Sequence, residues 1–188
     1  MKRILIFASG TGSNAENIIK YFHNKGNAEV VMVLSNRKDA KVLEKANNHK
    51  ISALYFNQTS FYKTDYILAL VEAVGPDLIV LAGFLLKMPE NILNKFKDKI
   101  INIHPALLPK YGGKGMYGMH VHNAVAENKE KETGITIHFV NEHYDEGTII
   151  FQARTHITDS DSAEEIASKV HALEYEHFPK VIEKLLSN

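Results

Sequence analysis

Five short apolar runs rich in β-branched residues lie at 2–8, 29–34, 53–56, 78–82 and 100–103, and the segments between them carry apolar residues at helical period. A strand buried on both faces reads as a continuous apolar run, and a parallel neighbour needs a crossover long enough to hold a helix. The intervening helices are predicted at 13–25, 40–49, 62–74 and 89–96. Ser13 or Asn14 is available to cap the first, and Gly26 to close it. Pro89 opens the last at its first turn. The expected fold is a single doubly wound, mostly parallel α/β sheet of Rossmann type, flanked by helices.

Beyond residue 104 the pattern changes. A loop rich in proline and glycine at 105–118 precedes a helix near 121–127. In 134–140, Ile135, Ile137 and Phe139 alternate with other residues, which predicts a strand with one wet face. Another strand follows at 148–153. The connection 141–147 is too short for a crossover, so this pair is expected to be antiparallel. Residues 162–186 form a long amphipathic helix, capped from 160–162, with Glu164 and Glu165 in its first turn. No repeat or linker divides the chain, and 1–188 is read as one domain.

Lys plus Arg equals Asp plus Glu at 22 each, so neither nucleic acid nor an anionic membrane is expected as a partner. The chain has no cysteine and no apolar run of about 20 residues. The expected protein is soluble and cytoplasmic, a monomer or homodimer that takes small-molecule substrates. There are ten histidines, yet no pair has zinc-helix spacing, so no metal is expected. His23, His49 and His156 lie among polar residues and should face solvent.

Ligands of a doubly wound sheet bind beyond the carboxyl ends of the strands, near the switch in strand order. Three loops should meet there: 9–14, the loop at Gly83 and the loop at His104. Ser9-Gly10-Thr11-Gly12-Ser13-Asn14 joins the first strand to the first helix. Its glycines let the backbone approach an anion, and the helix start offers free N–H groups. A dinucleotide site wants an acidic residue at the end of the second strand, where Ser35-Asn36-Arg37 stands instead. This argues against NAD, and Arg37 leaves an opening for NADP.

Asn102 and His104 occupy alternate positions at the end of the fifth run, so their side chains share one face, opposite Ile101 and Ile103. An amide that holds an oxyanion and an imidazole that handles protons are what acyl transfer to an amine requires. Asp145, in the polar segment 141–147, completes the set only if that hairpin folds back over His104. A carboxylate there should raise the imidazole's pKa. The alternatives are a structural polar pair and a polar hairpin tip.

Together with these residues, Ala82-Gly83-Phe84, Asn102-Ile103-His104-Pro105-Ala106-Leu107-Leu108-Pro109 and Tyr144-Asp145-Glu146-Gly147 resemble the folate-dependent formyltransferases over essentially the whole chain. The first loop and the compact length are most similar to the purine-synthesis members. The resemblance implies transfer of the formyl group of 10-formyltetrahydrofolate, a co-substrate, to the amine of glycinamide ribonucleotide, without a metal. It assigns Gly12, Ser13 and Asn14 to the phosphate and Glu174 to the glycinamide part. Asn102 would hold the oxyanion, His104 would be the general acid, and Asp145 would orient His104 and raise its pKa. Leu85, Leu86, Lys87 and Met88 would line the folate pocket, with Asn141, Glu142, His143, Tyr144 and Asp145 as its other wall. Lys63 stands near where the family often has a folate-contacting Arg. The glycines of 111–118 suit either a mobile flap or a plain surface loop.

Three rivals remain. A methionyl-tRNA formyltransferase is expected to carry a further C-terminal domain and basic surface, and a formyltetrahydrofolate hydrolase a preceding domain. A non-catalytic Rossmann nucleotide-binding module has no need of Asn102 and His104.

Overall fold

The computed structural model describes residues 1–187. Its centre is a seven-stranded sheet in the order β3-β2-β1-β4-β5-β6-β7. The strands β1 (Lys2–Phe7), β2 (Ala28–Ser35), β3 (Ser52–Tyr55), β4 (Leu78–Leu81) and β5 (Ile100–His104) pair in parallel. β6 (Glu132–Phe139) extends the sheet antiparallel to β5, and β7 (Ile149–His156) pairs antiparallel to β6. The chain winds outward from β1 to β3, then returns to β4 on the other side of β1, so the switch in strand order lies between β1 and β4.

Strand alternation divides the core into two layers. Ile4, Ile6, Val80, Ile101, Ile103, Ile135 and Ile137 pack with Ile18 and Phe22 of α1 (Ser13–Lys25), Val42 of α2 (Lys41–Asn48), Val121 of α6 (Met119–Glu127) and Phe178 of α7 (Ala163–Leu186). Leu5, Phe7, Ile79, Leu81 and Ile100 face the other way. They meet Phe61 of α3 (Gln58–Tyr62), Ile67 and Val71 of α4 (Tyr66–Val74) and Ile92 of α5 (Glu90–Lys95). Each large side chain fully buried here stabilises the fold by about 1.5–3 kcal/mol before entropy is subtracted.

Four local expectations change. The first helix takes its N-cap from Gly12 in a left-handed conformation, and neither Ser13 nor Asn14 caps it. The predicted helix at 62–74 begins later, at Tyr66, because a separate short helix α3 precedes it, ended at Lys63, with the Thr64 hydroxyl turned back to the Ser60 carbonyl. β6 has no wet face, since Thr136 and His138 are as buried as Ile135 and Ile137. His49 is half-buried beside Glu16, while His23 and His156 are exposed. The C-terminal helix starts as expected: Ser162 and Glu165 form a capping box, in which the Ser162 hydroxyl accepts the Glu165 N–H and the Glu165 carboxylate accepts the Ser162 N–H. Among the described residues no helix is long and apolar enough to cross a membrane.

Candidate functional site

Ser9 ties together three loops at the carboxyl edge of the sheet. Its backbone N–H donates to Gly83 O, its hydroxyl donates to Asn36 Oδ1 at 2.6 Å, and the hydroxyl accepts the Leu85 N–H at 2.9 Å. The loops after β1, β2 and β4 therefore meet at one small polar side chain. Beyond it the chain turns into α1 through Gly12, whose φ is 71°. A Cβ at Gly12 would lie 2.4 Å from Val42 Cγ2 and 2.8 Å from Val42 Cα, so the turn is pressed against α2. The first intrahelical bond runs from the Glu16 N–H to Gly12 O. The earlier N–H groups at this helix start have no carbonyl of the preceding turn to meet, which leaves a cradle able to receive an anion.

The cradle opens into a cavity of about 670 Å³. Gly12, Ser13 and Asn14 line one end, together with Glu174 from α7. Asn14 Nδ2 donates to Glu174 Oε2 at 2.9 Å, and Asn14 Oδ1 has no partner among the described residues. Burial pushes the Glu174 carboxyl above its ordinary pKa, against the Asn14 amide and the His171 ring, which pull it down. Leu85, Leu86, Lys87, Met88, Asn141, His143 and Tyr144 line the other end. Tyr62 steadies that wall by donating its hydroxyl to Lys87 O at 2.8 Å. Neither Lys63 nor Glu142 lines the cavity. Lys63 is the exposed C-cap of α3, and Glu142 is exposed beside His143.

Between the two ends, β5 and β6 face each other with Asn102 opposite His138 and His104 opposite Thr136. All four side chains share one face of the sheet. Thr136 donates to Ala106 O and accepts from the Leu108 N–H. His104 is 3% exposed, and its Nε2 donates to Tyr111 O at 2.7 Å. A carbonyl can only accept, so Nε2 carries the proton and the neutral ring keeps its lone pair at Nδ1. Nδ1 lies 3.6 Å from Asp145 Oδ2, too far for a direct hydrogen bond but within close electrostatic range. The hairpin therefore does fold back over His104. Gly113 N–H holds the same Asp145 oxygen at 2.9 Å.

The expected rise in the His104 pKa is reversed. Burial pushes the imidazole below its ordinary value, and the His138 ring adds to that. Together they outweigh the upward pull of Asp145 and the Tyr111 carbonyl. Asp145 is also pushed upward by burial, yet His138, His104 and the Gly113 N–H hold it below the usual carboxylate range. The resting pair is thus a neutral imidazole beside a carboxylate. Two further rings were not singled out from the sequence. His138 is 2% exposed and contacts both Asn102 and Asp145. His122, on α6, also lines the cavity, and burial followed by the His171 and His104 rings lowers its pKa to about 4. The sequence signal that could have found His138 is its place in a hairpin strand opposite Asn102. Among the described residues no cluster of three His, Cys, Asp or Glu is placed to hold a metal ion.

The sequence profile described as formyl transferase matches residues 2–182. A phosphoribosylglycinamide formyltransferase of Haemophilus influenzae is 36% identical, over 97% of this chain and 86% of its own. The Bacillus subtilis protein of that name is 35% identical, over 99% and 95%. The chloroplastic protein of Arabidopsis thaliana is 36% identical over 96% of this chain, which spans only 64% of that longer relative. Among solved structures, the phosphoribosylglycinamide formyltransferase of Brucella melitensis superposes with a TM-score of 0.89 at 34% identity, covering 100% of this chain and 96% of its own.

Proposed function

The chain belongs to the formyl transferase family, and on that premise we propose that it passes the formyl group of 10-formyltetrahydrofolate to the amine of N1-(5-phosphoribosyl)glycinamide, a step of purine synthesis. The observation that carries the reading is one cavity with an anion cradle at one end and, at its middle, a buried neutral imidazole whose Nδ1 is uncommitted. Residues 1–188 act as one catalytic domain on two small molecules, in the cytoplasm.

The cradle at Gly12, Ser13 and Asn14 takes the phosphate, Glu174 takes the glycinamide end, and the walls at 85–88 and 141–144 take the folate. The amine attacks the formyl carbon. A C–N bond forms and the carbonyl π pair moves to oxygen, where an N–H of Asn102 receives it. His104 Nδ1 takes the proton from the attacking nitrogen and becomes an imidazolium facing Asp145. It then gives that proton to N10 of the folate as the C–N10 bond breaks and the carbonyl reforms. Base first and acid second follows from the depressed His104 pKa, which leaves the resting ring unprotonated.

The test is purified protein with both substrates, followed by the absorbance of the deformylated folate. Transfer that depends on the ribonucleotide amine supports the reading. Release of formate without the amine would make the chain a hydrolase. No turnover, with tight binding of NADPH, would make it a nucleotide-binding module.

A further inference from the structure

We propose that His138 is a positioning residue that fixes the orientation of the Asn102 amide, and so aims the donor that receives the oxyanion. The inference rests on the formyl-transfer reading but is drawn from hydrogen-bond directions alone. His138 Nδ1 lies 2.8 Å from Phe139 O. A carbonyl oxygen has no proton to give, so Nδ1 bears the hydrogen, and the neutral ring leaves Nε2 as a bare acceptor. Asn102 Nδ2 lies 3.2 Å from that Nε2 and donates to it. The reversed amide would set its own oxygen against a lone pair, so the neutral ring selects one of the two orientations. In the selected one, the second N–H of Nδ2 has no partner among the described residues and stays available beside the cavity, which both Asn102 and His138 line.

The surroundings hold the ring in place. Asn102 and His138 are direct partners in the antiparallel ladder, so backbone pairing sets their separation. The β6–β7 register shifts between Ile137 and His138, so that His138 pairs with Ile149. Gly147 passes close beside the ring: a Cβ there would meet Phe139 O at 1.6 Å and His138 Nδ1 at 3.3 Å. The groups facing His138 are Asp145, with Oδ1 at 3.6 Å from Nε2, and His104. A proton on Nε2 would point it at Asp145 and away from Asn102, which would release the amide. One lone pair therefore serves Asn102 only while it stays bare.

Two substitutions separate this role from simple packing. In His138→Gln, a terminal oxygen stands close to where Nε2 was and still accepts from Asn102. In His138→Asn, the shorter amide still reaches Phe139 O but cannot reach Asn102. The expected result is that His138→Gln keeps kcat within a few fold, while His138→Asn loses roughly 10- to 100-fold in kcat, somewhat less than removal of a whole oxyanion donor. KM for the formyl donor and the ribonucleotide should stay near wild type in both. Equal losses in the two variants, or a loss confined to KM, would overturn the proposal. A wild-type protein with no transfer activity would instead sink the formyl-transfer reading. Ring ¹⁵N shifts of His138 in the wild-type protein check the tautomer without any turnover and without either variant having to fold. A protonated Nδ1 with a bare Nε2 is expected, and the opposite tautomer would overturn the inference.

Discussion

Replacing Asp145 with Asn removes one charge and leaves the outline of the side chain intact. The new amide oxygen can still accept the Gly113 N–H, so the hairpin should stay closed. The Asp145 carboxylate lies 3.6 Å from His104 Nδ1, and both side chains are largely sealed from water. At that separation two unit charges attract by about 1 kcal/mol in water-like surroundings and about 5 kcal/mol at an effective dielectric of 20. This range corresponds to roughly one to three pKa units. The sign follows from the direction of the pull. Asp145 draws the His104 pKa upward against burial, so its loss drops the value further below 6.5. Because the ring must be unprotonated to accept the amine proton, the acid limb of kcat/KM should move to lower pH. The imidazolium formed during reaction loses its counter-charge, so the plateau of kcat should fall by roughly 10- to 1000-fold. The loss should stop short of the ~10⁴-fold seen where an Asp also sets the tautomer of its His, because here the Tyr111 carbonyl does that. Initial rates across a pH series, with the two substrates varied in turn, measure both quantities. An acid limb that stays in place or moves upward would show that the carboxylate does not govern the ring.

His104→Ala should reduce kcat by at least roughly 10²-fold with little change in either KM, and a near-normal rate would remove the ring from the mechanism. Ser13→Ala should raise KM for the ribonucleotide more than for the folate; the opposite ranking would mean the substrates occupy the other ends of the cavity. Gly12→Ala puts a Cβ 2.4 Å from Val42 Cγ2 at a φ of 71°. It should destabilise the fold by about 2–5 kcal/mol, read as a lower urea midpoint, and an unchanged midpoint would contradict the close approach. Burial raises the Glu174 pKa above 4.5, so ionisation weakens the folded state as pH rises. Glu174→Gln should therefore gain in Tm relative to wild type between acid and neutral pH while binding the ribonucleotide less well. A Tm difference independent of pH would rule out a buried, reluctant carboxylate.

The parallel half of the sheet was legible because a strand covered on both faces has little choice but a continuous apolar run. The break between α3 and α4 was not, since Phe61, Ile67 and Val71 all face the same core layer and keep the apolar pattern going across the gap. β6 misled for the reverse reason. Thr136 and His138 look wet at alternate positions, but their partners are Ala106 O, the Leu108 N–H, Asn102 and Phe139 O, mostly far along the chain. Asn102, His104 and Asp145 could be proposed from their chemistry alone. The charge state of His104 could not, because it depends on burial outweighing a carboxylate that the sequence shows only as part of a polar segment.

Asn14 and Glu174 stand 160 positions apart, and their bond joins the first helix to the last. On a ribosome this end of the cleft stays unfinished until α7 has emerged and docked. On the proposed assignment a ribonucleotide there would touch both helices at once, so occupancy should slow amide exchange and proteolysis in α7, far from any bond that is made or broken. Saturating substrate would in this way guard the C-terminal helix against fraying.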